Sequence, residues 1–171
     1  MPEPDAAVLA RRSEIAVALR AIVAGEGVID DVDALRVYES DGLTAYRQHP
    51  MLVVLPQTTA QVAAILRYCD ENRVRVVPRG SGTSLSGGAL PLADAVLLGL
   101  AKLNRIVEVD LANRVAVVQP GVTNLAVTRA VEADGFYYAP DPSSQIACSI
   151  GGNVAENSGG VHCLKYGLTT N

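Results

Sequence analysis

The sequence predicts an α+β fold that is built from two α/β subdomains. Valine-rich runs of strand length alternate with alanine-rich stretches whose apolar residues recur at helical spacing. In the first half, the apolar runs at residues 51–55 and 74–77 flank a helical stretch, which gives a β-α-β unit. In the second half, two apolar runs around residues 111–113 are typical of a hairpin, and a further helix follows them.

The first fifty residues are mainly helical. Apolar side chains recur at helical spacing over residues 5–24, and Gly25 is placed to end that helix. A second short helix is predicted near Asp33, and Pro50 closes the region. We therefore divide the chain into an N-terminal helical cap and two subdomains, at residues 1–49, 50–104 and 105–171.

The first subdomain contains the β-α-β unit. Thr58 followed by Gln61 has the spacing of a capping box, in which the two side chains satisfy amides at the start of a helix. One face of that helix is predicted to carry the apolar residues Val62, Ile65, Leu66 and Cys69. The strand at 74–77 leads directly into a glycine-rich loop, and residues 96–98 form a further strand.

The second subdomain begins with the hairpin. Its strands are expected at 105–110 and 114–118, and the helix over 123–134 is predicted to end at Gly135 as its C-cap. After Gly167 the sequence shows no strand or helix pattern that would complete a sheet. We therefore expect the second subdomain to be incomplete.

Composition narrows the classes of function. The formal net charge of −4 gives no sign of the basic patch that nucleic-acid-binding proteins show. The three cysteines are odd in number and lack metal-ligand spacing, so we expect neither a disulfide framework nor a structural zinc site, and a reduced cytosolic setting fits. No apolar run reaches the roughly 18 residues of a membrane span, and the first residues do not resemble a signal peptide.

Two glycine-rich segments, both predicted to be loops, form the candidate binding site. The first occupies residues 78–88, and the second comprises residues 140–144 and 149–160. Glycine lets main-chain amides approach a ligand closely, and successive amides in such a turn suit a phosphate. Two segments of this kind, about sixty residues apart, indicate a long ligand with two ends. A dinucleotide is the candidate.

Three simpler motifs do not fit these segments. A Rossmann fingerprint requires a third glycine where Leu85 stands and a helix that we do not expect there. A P-loop requires lysine where Gly88 stands, so transfer of a γ-phosphate is not expected. No G-x-S-x-G segment occurs, so the nucleophile elbow of a hydrolase is missing.

Several short motifs follow one another in a fixed order. They are Val-Pro-Arg-Gly-Ser-Gly-Thr-Ser-Leu-Ser-Gly-Gly from residue 77, Pro120-Gly121, Pro-Asp-Pro-Ser-Ser from residue 140, Ile-Gly-Gly-Asn from residue 150 and Lys165-Tyr166-Gly167. The ordered set resembles the FAD-linked oxidase family over about residues 35–171. It implies an FAD-binding domain of the type found in vanillyl-alcohol oxidase and p-cresol methylhydroxylase (PCMH). Residues 156–169 resemble in particular the FAD-binding subunit of bacterial glycolate oxidases.

The resemblance implies FAD as the cofactor and assigns its contacts. The pyrophosphate would lie against Pro78, Arg79, Gly80, Ser81, Gly82, Thr83 and Ser84, and the adenosine half along Pro120 and Gly121. The flavin and ribityl end would be lined by Pro140, Asp141, Pro142, Ser143, Ser144, Cys148, Ser149, Gly151, Gly152 and Asn153. This wall would continue with Ala155, Asn157 and Gly160. Members that bind flavin covalently through the first loop carry histidine at the position of Thr83, so non-covalent FAD is implied.

Simpler roles stay open for several of these residues. Asn153 and Asn157 are also of the type that bonds nearby backbone in turns. Arg79 is either a neighbour of the phosphate or a surface charge. The adjacent His162 and Cys163 have no further ligand at suitable spacing, so a structural role is favoured over a metal site, and no metal is expected.

The resemblance further implies an enzyme that oxidises a 2-hydroxy acid by hydride transfer to flavin N5. Family members place the groups that hold the substrate in a C-terminal domain, which we expect this chain to lack, so no catalytic residue is assigned. The implied partners are a second flavin-domain subunit and an iron–sulfur subunit. Localisation would be cytoplasmic, or peripheral to the inner membrane through those subunits.

Three alternatives stay open. Related FAD enzymes act on D-lactate, D-2-hydroxyglutarate or an alkyl-glycerone phosphate. A non-catalytic nucleotide-binding module of the same fold would bind ADP or ATP as well as FAD and would show no flavin reduction. A truncated chain would fold poorly, bind nothing and associate through its exposed apolar surface.

Overall fold

A computed structural model describes residues 2–170. The chain divides into two compact units, Met1–Lys102 and Leu103–Asn171. This division falls two residues before the boundary that the sequence indicates between residues 104 and 105. The prediction of a mixed α and β fold is confirmed by helices and strands in both units.

The first unit is built on a four-stranded sheet. Its strands are β1 (Val28–Ile29), β2 (Leu52–Val54), β3 (Arg75–Arg79) and β4 (Ala95–Gly99), in the spatial order β1-β2-β4-β3. β1 is antiparallel to β2, whereas β2, β4 and β3 are parallel. The predicted β-α-β unit is therefore present, and β4 lies between its two strands. Because β3 is an edge strand, the first glycine loop begins at the edge of the sheet.

Helices cover the sheet of the first unit on one face. They are α1 (Ala6–Ala10), α2 (Arg12–Ile22) and α4 (Thr59–Glu71), and their residues Ile15, Leu19 and Ile65 are fully buried in one core with the sheet. The other face packs against Leu35 of α3 (Val32–Leu35) and Tyr38 of the following 3-10 turn (Arg36–Tyr38). Residues 1–49 thus contribute a strand and several core side chains to the first unit.

Helix α4 begins as the sequence predicts. Thr58 Oγ1 accepts the Gln61 amide at 3.1 Å, as a capping box requires. The return bond differs, since Gln61 Oε1 accepts the amide of Gln57 at 2.7 Å, one residue earlier than the motif expects. Ile65 is fully buried and Cys69 nearly so. The prediction was wrong for Leu66, which is 45% exposed, because it lies one residue (about 100°) around the helix from Ile65.

The second unit begins with a hairpin and continues with three helices. Its elements are β5 (Ile106–Asp110), β6 (Val115–Val118), α5 (Asn124–Val131), α6 (Ile150–Glu156) and α7 (Cys163–Tyr166). The predicted hairpin is confirmed, and so is the C-cap at Gly135, which has a left-handed φ of 80° after a 3-10 turn at Glu132–Asp134. The prediction of a loop over residues 150–156 was wrong, because Ser149 caps a helix there despite two glycines.

The helices within residues 2–170 are all too short, or not apolar enough, to cross a bilayer. The three cysteines are all unpaired, with Cys69 and Cys148 buried and Cys163 exposed.

Replacing Ile65 by alanine should lower the free energy of unfolding by about 2–5 kcal/mol, because a fully buried side chain leaves a cavity. The neighbouring Leu66→Ala change on the same helix removes a half-exposed side chain and should change it by about 0.5 kcal/mol or less. Urea unfolding of both variants measures the difference. Equal effects would contradict the burial of Ile65 in the core.

Cys163 should react with Ellman's reagent in the folded chain at pH 8, whereas Cys69 and Cys148 should react only after unfolding. Burial raises the pKa of Cys69 from 9.0 to about 11, so its thiolate is scarce at pH 8. Because the folded pKa lies above the unfolded one, this thiol's contribution to stability is complete below about pH 9 and is lost as pH rises towards 11. Mass spectrometry measures how fast each cysteine is labelled in the folded chain. Labelling of Cys69 at the same rate as Cys163 would contradict the burial of Cys69.

Candidate cofactor site

The first glycine loop offers a row of free main-chain donors. It begins where β3 ends, and residues 80–94 contain no helix, which agrees with the exclusion of a Rossmann motif. Within the described residues, the amides of Ser81, Gly82 and Thr83 donate no hydrogen bond. Gly82 has a left-handed φ of 68°, a conformation that favours glycine. Exposed successive amides of this kind form an anion-binding concavity.

The side chain of Arg79 is turned onto its own loop. Its Nη1 donates to the carbonyl of Tyr38 at 3.2 Å. A Cβ on Gly82 would lie 2.5 Å from Nη2 of Arg79, so the guanidinium is in contact with the loop backbone. The exposed members of the predicted pyrophosphate site in this unit are Pro78, Ser81 and Thr83.

In the second unit, the start of α5 holds the segment that precedes α6. The Asn124 amide donates to the Cys148 carbonyl at 3.0 Å, and the Leu125 amide to the Gln145 carbonyl at 3.0 Å. Asn124 is 1% exposed, and its Nδ2 donates to the Pro140 carbonyl at 2.9 Å. Sequence reasoning missed Asn124, and the signal available was a polar residue directly after a helix start in an otherwise apolar stretch.

Helix α6 brings two predicted contact regions together. The Gly151 amide donates to the Pro120 carbonyl at 2.8 Å, and a Cβ on Gly151 would lie 2.7 Å from Cβ of Pro120. Ser149 is 2% exposed, and its Oγ accepts the Gly152 amide at 3.4 Å. Ser149 therefore acts as a helix cap in this structure.

Asn153 is the buried polar group of α6. Its side chain is 3% exposed, and within the described residues its Nδ2 has no hydrogen-bond partner. A buried amide donor without a partner is costly, and a ligand acceptor is one way to satisfy it. Cys148 is also buried, as expected for a small thiol.

A histidine–carboxylate pair connects the start of the second glycine-rich segment to the residues that follow its end. His162 Nδ1 and Asp141 Oδ2 are 2.6 Å apart, and this hydrogen bond is the main reason that the pKa of Asp141 lies below its ordinary value. A Cβ on Gly160 would overlap Asp141, so the two backbones touch. His162 thus has a structural partner, and residues 2–170 contain no cluster of three or more His, Cys, Asp or Glu side chains that could hold a metal.

The remaining predicted residues lie nearer the surface. Ala155 is exposed on α6, and Ser143 is exposed in the Pro140 segment. Asn157 adopts a left-handed φ of 48°, and its Oδ1 accepts the amide of Thr170 at 3.1 Å. Asn157 therefore holds a turn, which is the simpler of the two roles that the sequence left open.

The second unit also has a cavity of about 220 Å³ between the hairpin and α5. Its lining includes Val109, Val115, Val127, Phe136 and Tyr138. It is lined by none of the residues that the sequence assigns to the cofactor, so it lies apart from the candidate site.

Solved structures identify the fold. An alkyldihydroxyacetonephosphate synthase aligns with a TM-score of 0.80 at 24% identity and covers 91% of this chain and 31% of its own. A substrate-bound p-cresol methylhydroxylase aligns with a TM-score of 0.77 at 20% identity and covers 91% of this chain and 30% of its own. These likenesses confirm the predicted PCMH-type fold.

Sequence relatives identify the family. Glycolate oxidase subunit GlcD of Escherichia coli (strain K12) is 58% identical over 92% of this chain and 32% of its own length, and GlcD of Bacillus subtilis (strain 168) is 47% identical over 86% and 32%. D-2-hydroxyglutarate dehydrogenase of Stutzerimonas stutzeri (strain A1501) is 34% identical over 90% and 33%. The chain spans about a third of the length of these curated relatives. Residues 50–171 match the family model described as FAD binding domain, and the chain belongs to that family.

FAD is accordingly the cofactor of this domain, as the sequence predicted. The hydrogen-bond donors of the candidate site fit FAD. The free amides of residues 81–83 suit a pyrophosphate, and the buried Nδ2 of Asn153 has a donor to spare.

Replacing Gly151 by alanine should lower the free energy of unfolding by about 1–3 kcal/mol, because the new methyl group would press on Pro120. The matched change is Gly152→Ala in the same helix, where the nearest atom, Ser149 Oγ, lies 3.3 Å away. It should lower stability less than Gly151→Ala does, because only the Ser149 hydroxyl has to shift, by a few tenths of an ångström. Urea unfolding compares them, and a neutral Gly151→Ala variant would refute the close contact between α6 and Pro120.

Proposed function

We propose that this chain is the FAD-binding part of a flavin-dependent 2-hydroxy-acid dehydrogenase or oxidase of the glycolate oxidase type. The observation that carries the cofactor role is the row of amides at residues 81–83, which donate no hydrogen bond within the part of the chain that the structure describes. The substrate class is supported by 58% identity to GlcD of Escherichia coli, whose name gives glycolate oxidase.

Each glycine-rich segment has a proposed part in holding FAD. Residues 78–84 surround the pyrophosphate, which the main-chain amides of residues 81–83 bind, and Pro120 and Gly121 lie along the adenosine half. The flavin and ribityl end is held by residues 140–144 and 148–153, where Asn153 offers its spare Nδ2 hydrogen. The binding is non-covalent in the first loop, because Thr83 stands where members that bind flavin covalently through this loop carry histidine.

The proposed chemistry is oxidation of the hydroxyl-bearing carbon. When bound, the flavin supplies the hydride acceptor, and the domain's part is to bind and orient it. The groups that hold the substrate are proposed to lie outside residues 1–171, since the relatives are about three times as long. We propose that the enzyme is cytoplasmic. We also propose that it has two further subunits, a flavin-domain subunit and an iron–sulfur subunit, because the GlcD relatives are named as subunits.

A second candidate substrate is D-2-hydroxyglutarate. It is supported by the 34% identity to the dehydrogenase of Stutzerimonas stutzeri. The higher identity to the GlcD proteins favours glycolate.

Titration of the purified 171-residue chain with FAD should quench flavin fluorescence and saturate, and an equal concentration of FMN should not displace the bound FAD. FMN lacks the pyrophosphate and adenosine that the first loop is proposed to hold. Gly82→Ala should weaken FAD binding strongly, since its Cβ would press on Arg79 and its φ is 68°. Gly25→Ala carries the same backbone strain at φ 70° in open space and should leave FAD binding unchanged.

Two results would count against this function. One is a folded chain that binds no FAD, and the other is a chain that binds ADP or ATP with the same affinity as FAD. The second result would favour a nucleotide-binding module. Equal effects of Gly82→Ala and Gly25→Ala on FAD affinity would remove the first loop from the site.

A further inference from the structure

The first glycine loop packs on residues 38–43, which precede the stretch 50–171 that matches the family. A Cβ on Gly42 would lie 2.6 Å from the carbonyl oxygens of both Thr83 and Ser84. The two backbones are therefore in direct contact, and a larger residue at position 42 would push the loop away. No motif in the sequence indicates this support.

Arg79 joins this segment to the loop. Its guanidinium donates from Nη1 to the Tyr38 carbonyl at 3.2 Å and lies 6.0 Å from the centre of the Tyr38 ring. A Cβ on Gly82 would lie 2.8 Å from Cζ and 2.8 Å from Nε of Arg79. The guanidinium thus contacts both Tyr38 and the backbone of Gly82.

Asp41 supplies the opposite charge. It is 5% exposed, its Oδ1 accepts the Leu43 amide at 2.9 Å, and within the described residues its buried Oδ2 has no hydrogen-bond partner. Burial lowers the pKa of Arg79, and attraction to the Asp41 carboxylate opposes that shift. A buried carboxylate is costly without a nearby cation, and the Asp41 carboxylate attracts the Arg79 guanidinium without a direct ion pair among the described residues.

We propose that Arg79 and Asp41 position the first glycine loop for the FAD pyrophosphate without touching the cofactor, which makes residues 38–43 part of the cofactor site. This inference rests on the proposed function. It replaces the expectation that Arg79 faces the phosphate. A loop that is ordered before FAD arrives loses less conformational freedom on binding, so the two side chains strengthen FAD affinity indirectly.

The test combines FAD affinity with amide hydrogen exchange of residues 80–86 in the FAD-free chain. Arg79→Met should raise the Kd for FAD about tenfold or more, since a charge-assisted hydrogen bond is lost. It should also speed exchange in the loop before any FAD is added. Arg79→Lys should restore little, because an ammonium group cannot cover Tyr38 and Gly82 together. Asp41→Asn keeps the acceptor for Leu43, removes the charge and should cause a smaller shift in the same direction.

Arg75→Met is the matched control. Arg75 lies on the same strand and pairs with Asp94 at 3.5 Å, away from the loop. Its FAD affinity and loop exchange should match those of the unaltered chain. Urea midpoints are measured for all variants, so that a general loss of stability is separated from a local change in the loop.

Three results would overturn the positioning role. The first is unaltered FAD affinity in Arg79→Met. The second is weakened affinity with unaltered exchange in the FAD-free loop, together with rescue by lysine, which is the signature of direct phosphate contact. The third is faster exchange that merely follows a lower urea midpoint. If Arg79→Met does not fold, Arg79→Lys and Asp41→Asn decide. Failure of the unaltered chain to bind FAD would contradict the proposed function, while exchange in the FAD-free chain still tests the support of the loop.

Discussion

Main-chain amides that bind an anion cannot also hold their own loop together, and the first unit of this chain is shaped by that constraint. In the first unit the amides of residues 81–83 have no partner among residues 2–170, and the Arg79 side chain bonds the Tyr38 carbonyl instead. In the second unit Asn124 bonds the Pro140 carbonyl from α5, and His162 pairs with Asp141. Side chains therefore supply the restraint that the amides of the first loop do not, and in the second unit they add to amide bonds within residues 142–148. The conformational entropy of the loops is lost on folding and need not be lost again on binding.

The glycines serve this arrangement in two different ways. Gly82 is required for its left-handed backbone, which aims the amides around it. Gly42, Gly151 and Gly160 are required for space, because a Cβ at each would press on another segment's atoms. The close contacts at Gly42, Gly151 and Gly160 fix where each segment lies. The left-handed backbone of Gly82 fixes how the amides of the first loop are presented. A glycine-rich motif in a sequence does not by itself distinguish them.

Much of the fold follows from local sequence, and the rest depends on contacts between distant residues. The cap at Thr58, the hairpin and the C-cap at Gly135 were predictable because each depends on a few adjacent residues. The exposure of Leu66 was not, since the width of the buried face depends on what packs against it. Helix α6 was hidden by its two glycines, which have low helix propensity. The cofactor roles of the residues in the glycine-rich segments were predicted from family resemblance. The side-chain contacts of Asn124 and Arg79 join residues that are distant in the sequence, so no local pattern predicts them.

The family match begins at residue 50, whereas the residues that shape the proposed cofactor site begin at residue 38. A chain that began at residue 50 would keep every motif that resembles FAD-linked oxidases. It would lose β1 and also Leu35 and Tyr38, which pack on the buried Val53 and Leu97. It would also lose the carbonyl that binds Arg79 and the buried Asp41 carboxylate that attracts the Arg79 charge. The motifs therefore name the cofactor, but the residues before them give the first loop its shape, because a loop with free amides depends on support from outside itself.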